Sequence, residues 1–297
     1  MQSDTWAPAR NRRNAAAPIF IGGLFKSGTS LFRAMISQHS RIAGGLETQW
    51  FHLPWDGPPD RRREHIDRLT RFFELEKGTV VRIEEESRSA EDFLSGFMAE
   101  VAASQGKTRW AEKTPGNILH LKRIFTAWPD ASVIHVVRDP RDVLASLRQA
   151  RKWDDVETFT DLWCRFLGAA EDFKQAGGAR LQTSFLEVRY EDLVLRPKDT
   201  MKKAVRFLEE TWEEAVADFA GRQPDYEAVL EITGKASTTL ERLSKPLTRS
   251  RVGIWRKTLE PGEWDRVRAL VDAQGLLPLM DRIIEETPGG ALGNANG

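Results

Sequence analysis

The sequence predicts an α/β fold of three layers, in which helices cover both faces of a central, mainly parallel sheet. Three short apolar runs have the pattern of buried strands, and each is followed by a helical pattern. Strands that alternate with helices in this way are typical of parallel sheets. Hydrophobic residues make up 40% of the 297 residues, enough for one large core. We therefore expect one domain over residues 18–286, between a flexible N-terminus at 1–17 and a flexible, Gly/Ala/Asn-rich tail at 287–297.

The first strand is predicted at residues 18–24, an apolar run that contains two glycines and leads into a helical pattern. The turn between strand and helix holds Lys26, Ser27, Gly28, Thr29 and Ser30. Free backbone N–H groups and the helix dipole make a helix N-terminus an anion site, and the lysine and hydroxyls add donors. The turn is therefore a candidate phosphate loop. It is not a GxxxxGK[ST] loop, because the lysine precedes Ser-Gly-Thr, and an ordinary capped turn is the alternative.

A second strand is predicted at residues 131–137, followed by the motif Arg138-Asp139-Pro140 and a helix. Proline suits the first turn of a helix. Arg138 stands at the strand end, and Ser146 follows eight residues later on the helix. An arginine fork suits a phosphate, and a helical hydroxyl can share that phosphate. In isolation, such a motif is more often a salt-bridged helix start.

Two further strands complete the predicted sheet. One covers residues 185–190 and ends at Tyr190, and a shorter one at 108–111 precedes Lys113. The stretches 50–107 and 151–180 look mainly helical, and we expect them to cover the sheet or to be insertions.

Composition excludes several classes of protein. Lys+Arg and Asp+Glu both number 44, so the formal net charge is zero and a general nucleic-acid-binding surface is not expected. The single cysteine, Cys164, excludes an intrachain disulfide and is expected to be a buried thiol. The five histidines show no HxxxH or HxH spacing, so no metal site is expected.

The sequence also bears on location. The N-terminus lacks the apolar core of a secretory signal, and no window approaches the roughly 18 apolar residues that a membrane span needs. We therefore expect a soluble, cytoplasmic protein without a membrane span. No feature indicates an oligomeric state.

Taken in order, the motifs resemble those of the sulfotransferases that use 3′-phosphoadenosine-5′-phosphosulfate (PAPS). Lys-Ser-Gly-Thr-Ser after an apolar strand is similar to the family's 5′-phosphosulfate loop. Residues 136–147 are similar to its 3′-phosphate motif, in which an arginine and a serine, here Arg138 and Ser146, hold the phosphate. Residues 189–193 resemble its YEDL segment, which implies that Tyr190 lies near the adenine.

Residues 245–256 resemble the family's late basic loop, which closes over the nucleotide. The contacts expected there are Arg249, Ser250 and Arg251. The resemblance spans residues 18–256. It implies the P-loop nucleotide-hydrolase-like sulfotransferase fold, PAPS as co-substrate and 3′-phosphoadenosine-5′-phosphate (PAP) as product. The chain is thus expected to be an enzyme, a PAPS-dependent sulfotransferase.

The resemblance also implies a candidate base. The family's cytosolic small-molecule branch uses a histidine in a Lys-Thr-His segment, but Pro115 stands in the corresponding place here. The branch with tyrosylprotein and heparan-type sulfotransferases uses a glutamate downstream of the phosphate loop, and Glu47 fits that spacing from Lys26. Glu-Lys-Thr-Pro at residues 112–115 resembles the same branch, whose lysine approaches the sulfuryl group.

These resemblances assign three catalytic roles. Glu47 is expected to be the general base, with its pKa raised by burial beside Trp50 and Phe51. Lys26 is expected to stabilise the bridging oxygen, and Lys113 the sulfuryl oxygens. The alternatives are a surface carboxylate for Glu47 and a solvated lysine at 113.

The acceptor is expected to be a hydroxyl of a small molecule, glycan or lipid-like compound, in preference to a protein. It would bind beside Glu47, on the side of the helical insertion at 50–107. Aromatic walls are expected from Trp50, Phe51, Trp55 and Trp153. Two other functions stay open. A P-loop kinase-like phosphotransferase would bind ATP with Mg²⁺ instead of PAP, and a non-catalytic nucleotide-binding protein would be indifferent to Glu47→Ala.

Overall fold

The computed structural model describes residues 16–52, 55, 57–150, 155–177, 183–218, 243 and 247–287. Five parallel strands form its sheet in the order β2-β3-β1-β4-β5. Their bounds are Ile19–Gly22 for β1, Ile42–Gly44 for β2, Arg109–Lys113 for β3, Ser132–Val137 for β4 and Phe185–Arg189 for β5. The all-parallel sheet confirms the predicted fold class.

Helices cover both faces of this sheet. They are α1 Thr29–Ile36, α2 Pro59–Phe72, α3 Lys77–Glu86, α4 Ala90–Ser104, α5 Leu121–Ala127, α6 Pro140–Gln149, α7 Val156–Ala176, α8 Tyr190–Leu195, α9 Pro197–Phe207, α10 Glu263–Ala273 and α11 Leu277–Glu285. Short 3₁₀ turns lie at Trp50–His52, Pro115–His120, Glu214–Val216, Arg249–Arg251 and Ile254–Lys257.

Alternate residues of the central strand β1 enter different cores, as the pleat of a strand requires. Phe20 packs with α2, α4 and α5, whereas Ile19 and Ile21 pack with α1, α8 and α9. A third core joins α6, α7, α10 and α11 and contains Cys164, which is buried as predicted. Because both faces of β1 are covered, its sequence is continuously apolar instead of alternating.

Sequence reasoning finds four of the five strands and misses β2. This strand has only three residues, Ile42–Gly44, too few for a periodic pattern. The predicted YEDL segment lies on the helix α8. Among the described residues, no helix is both long enough and apolar enough to cross a membrane.

The carboxyl ends of the parallel strands meet at one edge of the sheet. The segments that follow β1, β2 and β4 lead to Lys26, Glu47 and Arg138, while Lys113 ends β3 and Tyr190 follows β5. In open parallel sheets ligands bind at this edge. All the catalytic residues predicted from the sequence therefore lie on the same side of the molecule.

Candidate functional site

The loop after β1 contains two glycines with positive φ, a backbone conformation that residues with a Cβ rarely adopt. Gly23 has φ 150°, and a Cβ there would lie 2.3 Å from the backbone oxygen of Val136. Gly28 has φ 100° and precedes the first residue of α1, with no side chain capping that helix. The first N–H groups of α1 are thus open to an anion, as a phosphate loop requires.

Lys26 adopts an unusual backbone conformation within this loop. Its φ is 67°, in the left-handed region, which is costly for a residue with a Cβ. Such conformations persist where the surrounding structure imposes them, and they cluster at ligand sites. Here the carbonyl oxygen of Lys26 accepts a hydrogen bond of 3.0 Å from Nη1 of Arg138. The predicted 3′-phosphate motif therefore braces the predicted phosphate loop.

Arg138 joins three of the predicted motifs. It is buried, its guanidinium lies 4.3 Å from the ring centre of Tyr190, and its Nη2 donates to the backbone oxygen of Arg251. Tyr190 in turn lies against Gly28, where a Cβ would approach ring atom Cδ2 to 2.5 Å. The loop after β1, the Arg138 motif and the YEDL segment thus form one continuous surface.

The late basic loop is tied to the same surface by a buried carboxylate. Asp142 accepts hydrogen bonds from the backbone N–H groups of Gly253 at 2.7 Å and Trp255 at 3.1 Å, and burial raises its pKa. Nη2 of Arg251 donates to Oγ of Ser146 at 3.3 Å. Of the three expected contacts, Arg251 therefore meets the Arg138 motif, whereas Arg249 and Ser250 are exposed.

Glu47 and Lys113 form an ion pair, with 2.5 Å between Oε1 and Nζ. Nζ of Lys113 also donates to Oγ of Ser30 on α1 at 3.1 Å. The side chain of Lys113 is 5% exposed, but that of Glu47 is 32% exposed. Lys113 thus links the phosphate loop to the carboxylate of Glu47, which is accessible from solvent.

The expected rise in the pKa of Glu47 is wrong. Burial does raise this pKa, but the ion pair and hydrogen bond with Lys113, a hydrogen bond from Gln49 and the nearby charge of Arg33 together lower it below its ordinary value. Glu47 is therefore an ionised carboxylate at neutral pH. Burial lowers the pKa of Arg33 to about 10, which leaves its guanidinium charged.

The predicted aromatic walls are only partly present. Trp50 and Phe51 are buried in the core, and Trp50 stacks on Phe93 with 4.9 Å between ring centres. They fill space between the sheet and α4, so they do not face an acceptor. Trp55 is half-buried and packs against Trp50, and Trp153 lies outside the described residues.

Sequence reasoning missed three residues of this site. Arg33 is buried on α1, one turn after Ser30, so their helical spacing was a usable signal. The role of Asp142 had no signal beyond its place in the Arg138 motif. Glu112 precedes Lys113 and accepts hydrogen bonds from Thr48, Thr114 and Asn117 in a fully buried position. These three residues complete the edge of the sheet, where the candidate phosphate loop lies beside the ionised carboxylate of Glu47.

A family model described as "Sulfotransferase family" matches residues 18–214. The chain belongs to the sulfotransferase family. Named relatives agree with this. The protein-tyrosine sulfotransferase of Drosophila melanogaster is 25% identical over 287 residues, covering 88% of this chain and 51% of the relative. Protein-tyrosine sulfotransferase 1 of Homo sapiens is 26% identical over 206 residues, covering 67% of this chain and 52% of the relative. This sulfotransferase chain therefore spans about half the length of these relatives.

Solved structures share the fold of this sulfotransferase. The sulfotransferase domain from the curacin biosynthetic pathway gives a TM-score of 0.62 at 17% identity, covering 86% of this chain and 97% of that domain. A mouse sulfotransferase complexed with PAP gives 0.50 at 15% identity, covering 91% and 89%. The predicted fold and family resemblance are thus confirmed.

The expected preference for a small-molecule or glycan acceptor over a protein is wrong. The named relatives from fly and human are protein-tyrosine sulfotransferases, and the same holds for that of Caenorhabditis elegans. The expectation rested on the predicted cytoplasmic location, which carries no information about the acceptor. A cytoplasmic location stays a prediction from the sequence.

Proposed function

We propose that this chain transfers the sulfuryl group of PAPS to the hydroxyl of a tyrosine in a protein, with Glu47 as general base. One observation carries the proposal. Lys113 contacts both Ser30 of the phosphate loop and Glu47, so the place for the donor and the candidate base are joined by one buried cation. The names of the relatives support tyrosine as the acceptor.

The residues at the edge of the sheet suit the donor. The open N-terminus of α1 and Lys26 would hold the 5′-phosphosulfate, with Ser27, Thr29 and Ser30 as further donors. Arg138 and Ser146 would hold the 3′-phosphate, and Tyr190 would lie at the adenine. Gly23 favours this use, since the loop packs against the backbone oxygen of Val136 and leaves no room for a Cβ there. When bound, PAPS supplies the sulfuryl group, and PAP is its leaving group.

The reaction needs a proton acceptor and two positive charges. A bond forms between the tyrosine oxygen and sulfur while the bond from sulfur to the bridging oxygen of PAP breaks, and the hydroxyl proton passes to the carboxylate of Glu47. Lys26 would offset charge on the bridging oxygen, and Lys113 would offset charge on the sulfuryl oxygens. The 32% exposure of Glu47 gives the acceptor access to this carboxylate.

The ion pair also couples donor binding to the strength of the base. Lys113 contributes strongly to the lowering of the pKa of Glu47, so a free Glu47 is ionised but only weakly basic. If Lys113 binds the sulfuryl oxygens, its ion pair with Glu47 weakens, and the pKa of Glu47 rises. The base thus gains proton affinity at the step where the acceptor hydroxyl must lose its proton.

Calorimetric binding of PAP tests the donor site. We expect the wild-type protein to bind PAP in the presence of a chelator, and Arg138→Ala to weaken that binding about 10- to 100-fold, because a charge-assisted contact to phosphate is lost. Arg268→Ala is the control, since Arg268 pairs with Asp281 away from this edge. A protein that binds Mg·ATP but not PAP would contradict the proposal and favour a kinase.

A further inference from the structure

Glu112 is a carboxylate buried beneath the site, with 1% of its surface exposed. Its Oε1 accepts hydrogen bonds from Oγ1 of Thr48 at 2.8 Å and from Oγ1 of Thr114 at 2.7 Å. Its Oε2 accepts one from Nδ2 of Asn117 at 2.6 Å. These three partners are themselves buried. A carboxylate out of reach of water is costly unless it is fully hydrogen-bonded, and this one is.

The two threonine hydroxyls also accept hydrogen bonds from the backbone of the loop that carries Glu47, and so link Glu112 to that loop. Oγ1 of Thr48 accepts from the backbone N–H of Trp50 at 3.2 Å, and Oγ1 of Thr114 accepts from that of Gln49 at 3.0 Å. Each hydroxyl has only one proton, which it donates to Glu112. In this arrangement Glu112 is the acceptor at the end of both chains. Burial raises the pKa of Glu112 above its ordinary value, and the hydrogen bonds from its three partners oppose that rise.

Asn117 extends the network to the phosphate loop. Its Nδ2 also donates to the backbone oxygen of Ile21 in β1 at 3.1 Å. A carbonyl can only accept, so this contact identifies the amide nitrogen. Two residues on, the N–H of Gly23 donates to the backbone oxygen of Pro115 at 3.0 Å. The turn that follows Lys113 is thereby attached to the start of the phosphate loop.

The backbone of the Glu47 loop needs such support. Gln49 has φ 54°, in the left-handed region that a residue with a Cβ avoids. Its N–H is held by Thr114, and its side chain hydrogen-bonds Glu47. Strained backbone of this kind persists only where neighbouring contacts determine it. Here the backbone contact of Gln49 is with Thr114, which in turn hydrogen-bonds Glu112.

We propose that Glu112 is a positioning residue, which holds the Glu47 loop, Lys113 and the end of β1 in one arrangement and so sets where the base meets the phosphate loop. This role rests on the proposed function. Glu112 does not touch the reacting groups. It acts through the hydroxyls of Thr48 and Thr114 and the amide of Asn117, which link segments far apart in the sequence.

Glu112→Gln tests this role, because the glutamine side chain has nearly the same shape as the glutamate it replaces. The amide cannot accept from all its partners, since an N–H group must then face either Asn117 or the two threonines. We expect kcat to fall about 10²-fold, the effect of a small misplacement of a catalytic group, with the affinity for PAP unchanged. By NMR, we expect the Gln49 and Trp50 amides to exchange about tenfold faster, as for one lost hydrogen bond.

A second readout is the titration of the Glu47 carboxyl. Lys113 of β3, Arg33 of α1 and Arg68 of α2 face this group with their charges. We expect Glu112→Gln to loosen the pair with Lys113 and to shift this titration to higher pH. A general loss of stability would lower the melting temperature without this shift. Glu210→Gln is the matched control, because Glu210 is a buried carboxylate that pairs with Arg109 at the opposite end of β3, with 3.1 Å between Oε1 and Nη1.

The outcomes separate this inference from the proposed function. Unchanged amide exchange and an unchanged Glu47 titration in Glu112→Gln would overturn the positioning role, whatever the activity. If the wild-type protein transfers no sulfuryl group, the proposed function fails, but these NMR measurements still decide the role of Glu112. If Glu112→Gln does not fold, Thr114→Val removes the hydrogen bonds of this hydroxyl to Glu112 and to Gln49 and leaves the branch through Thr48 intact. The Gln49 amide should then exchange faster, and the Glu47 titration should again shift to higher pH.

Discussion

Glu47→Gln is expected to lower kcat for sulfuryl transfer by about 10²- to 10⁴-fold, the usual contribution of a general base. The amide keeps the shape of the side chain but cannot take the hydroxyl proton. PAP binding should be unchanged, since the residues proposed to hold PAP lie on the phosphate loop, in the turn between β4 and α6, on α6 and on α8. Steady-state kinetics with a tyrosine peptide, together with calorimetry for PAP, measures both quantities.

Glu91→Gln is the matched control for this variant. Glu91 is also a partly exposed carboxylate in an ion pair, with 2.5 Å between Oε1 and Nε of Arg123, but it lies on α4 away from the phosphate loop. It should leave kcat unchanged. Full activity in Glu47→Gln would show that another group takes the proton, and the assignment of the base would be withdrawn.

Lys113→Met is expected to lower kcat by about 10²- to 10³-fold, as when one electrostatic contact to a developing charge is removed. It should also move the acid limb of the pH profile of kcat/KM, which reports the pKa of Glu47 in the free enzyme. In the wild type the pKa of Glu47 lies below its ordinary value of 4.5, so Glu47 is ionised and active above that pH and loses activity only as pH falls through the lowered pKa.

Without Lys113, burial continues to raise the pKa of Glu47, and the hydrogen bond from Gln49 and the charges of Arg33 and Arg68 remain to oppose that rise. The acid limb should therefore shift to higher pH. Lys174→Met serves as control, because Lys174 pairs with Glu171 within α7, with 2.8 Å between Nζ and Oε2. An acid limb that stays in place in Lys113→Met would mean that the ion pair does not set the titration of the base.

The sequence predicts the parts of this site that lie close together in the chain. Lys26 to Ser30 and Arg138 to Ser146 are local patterns, in which a strand end, a turn and a helix N-terminus determine the use of each side chain. The three-residue strand β2 carries too little pattern to be found. The order of the strands in the sheet depends on packing between distant segments, which local patterns do not encode.

The longest contacts missed from the sequence are those of two buried carboxylates, and they join distant residues. Asp142 holds Gly253 across 111 positions, and Glu112 holds Thr48 across 64. The pKa of Glu47 was expected to rise because its neighbours in the chain are aromatic, yet those rings turn into the core and Lys113 approaches instead. The sign of a pKa shift depends on which charges the fold brings near, so it could not be predicted from neighbours in sequence.

The central claim is sulfuryl transfer from PAPS to tyrosine, and one assay tests it most directly. The wild-type protein is incubated with PAPS, a tyrosine peptide and a chelator, and peptide and nucleotide are followed by mass spectrometry. The account predicts a peptide that gains one SO₃ on the tyrosine oxygen, with an equal amount of PAP. A peptide that stays unmodified while PAPS is intact, or one that is phosphorylated when Mg·ATP is supplied instead, would contradict it.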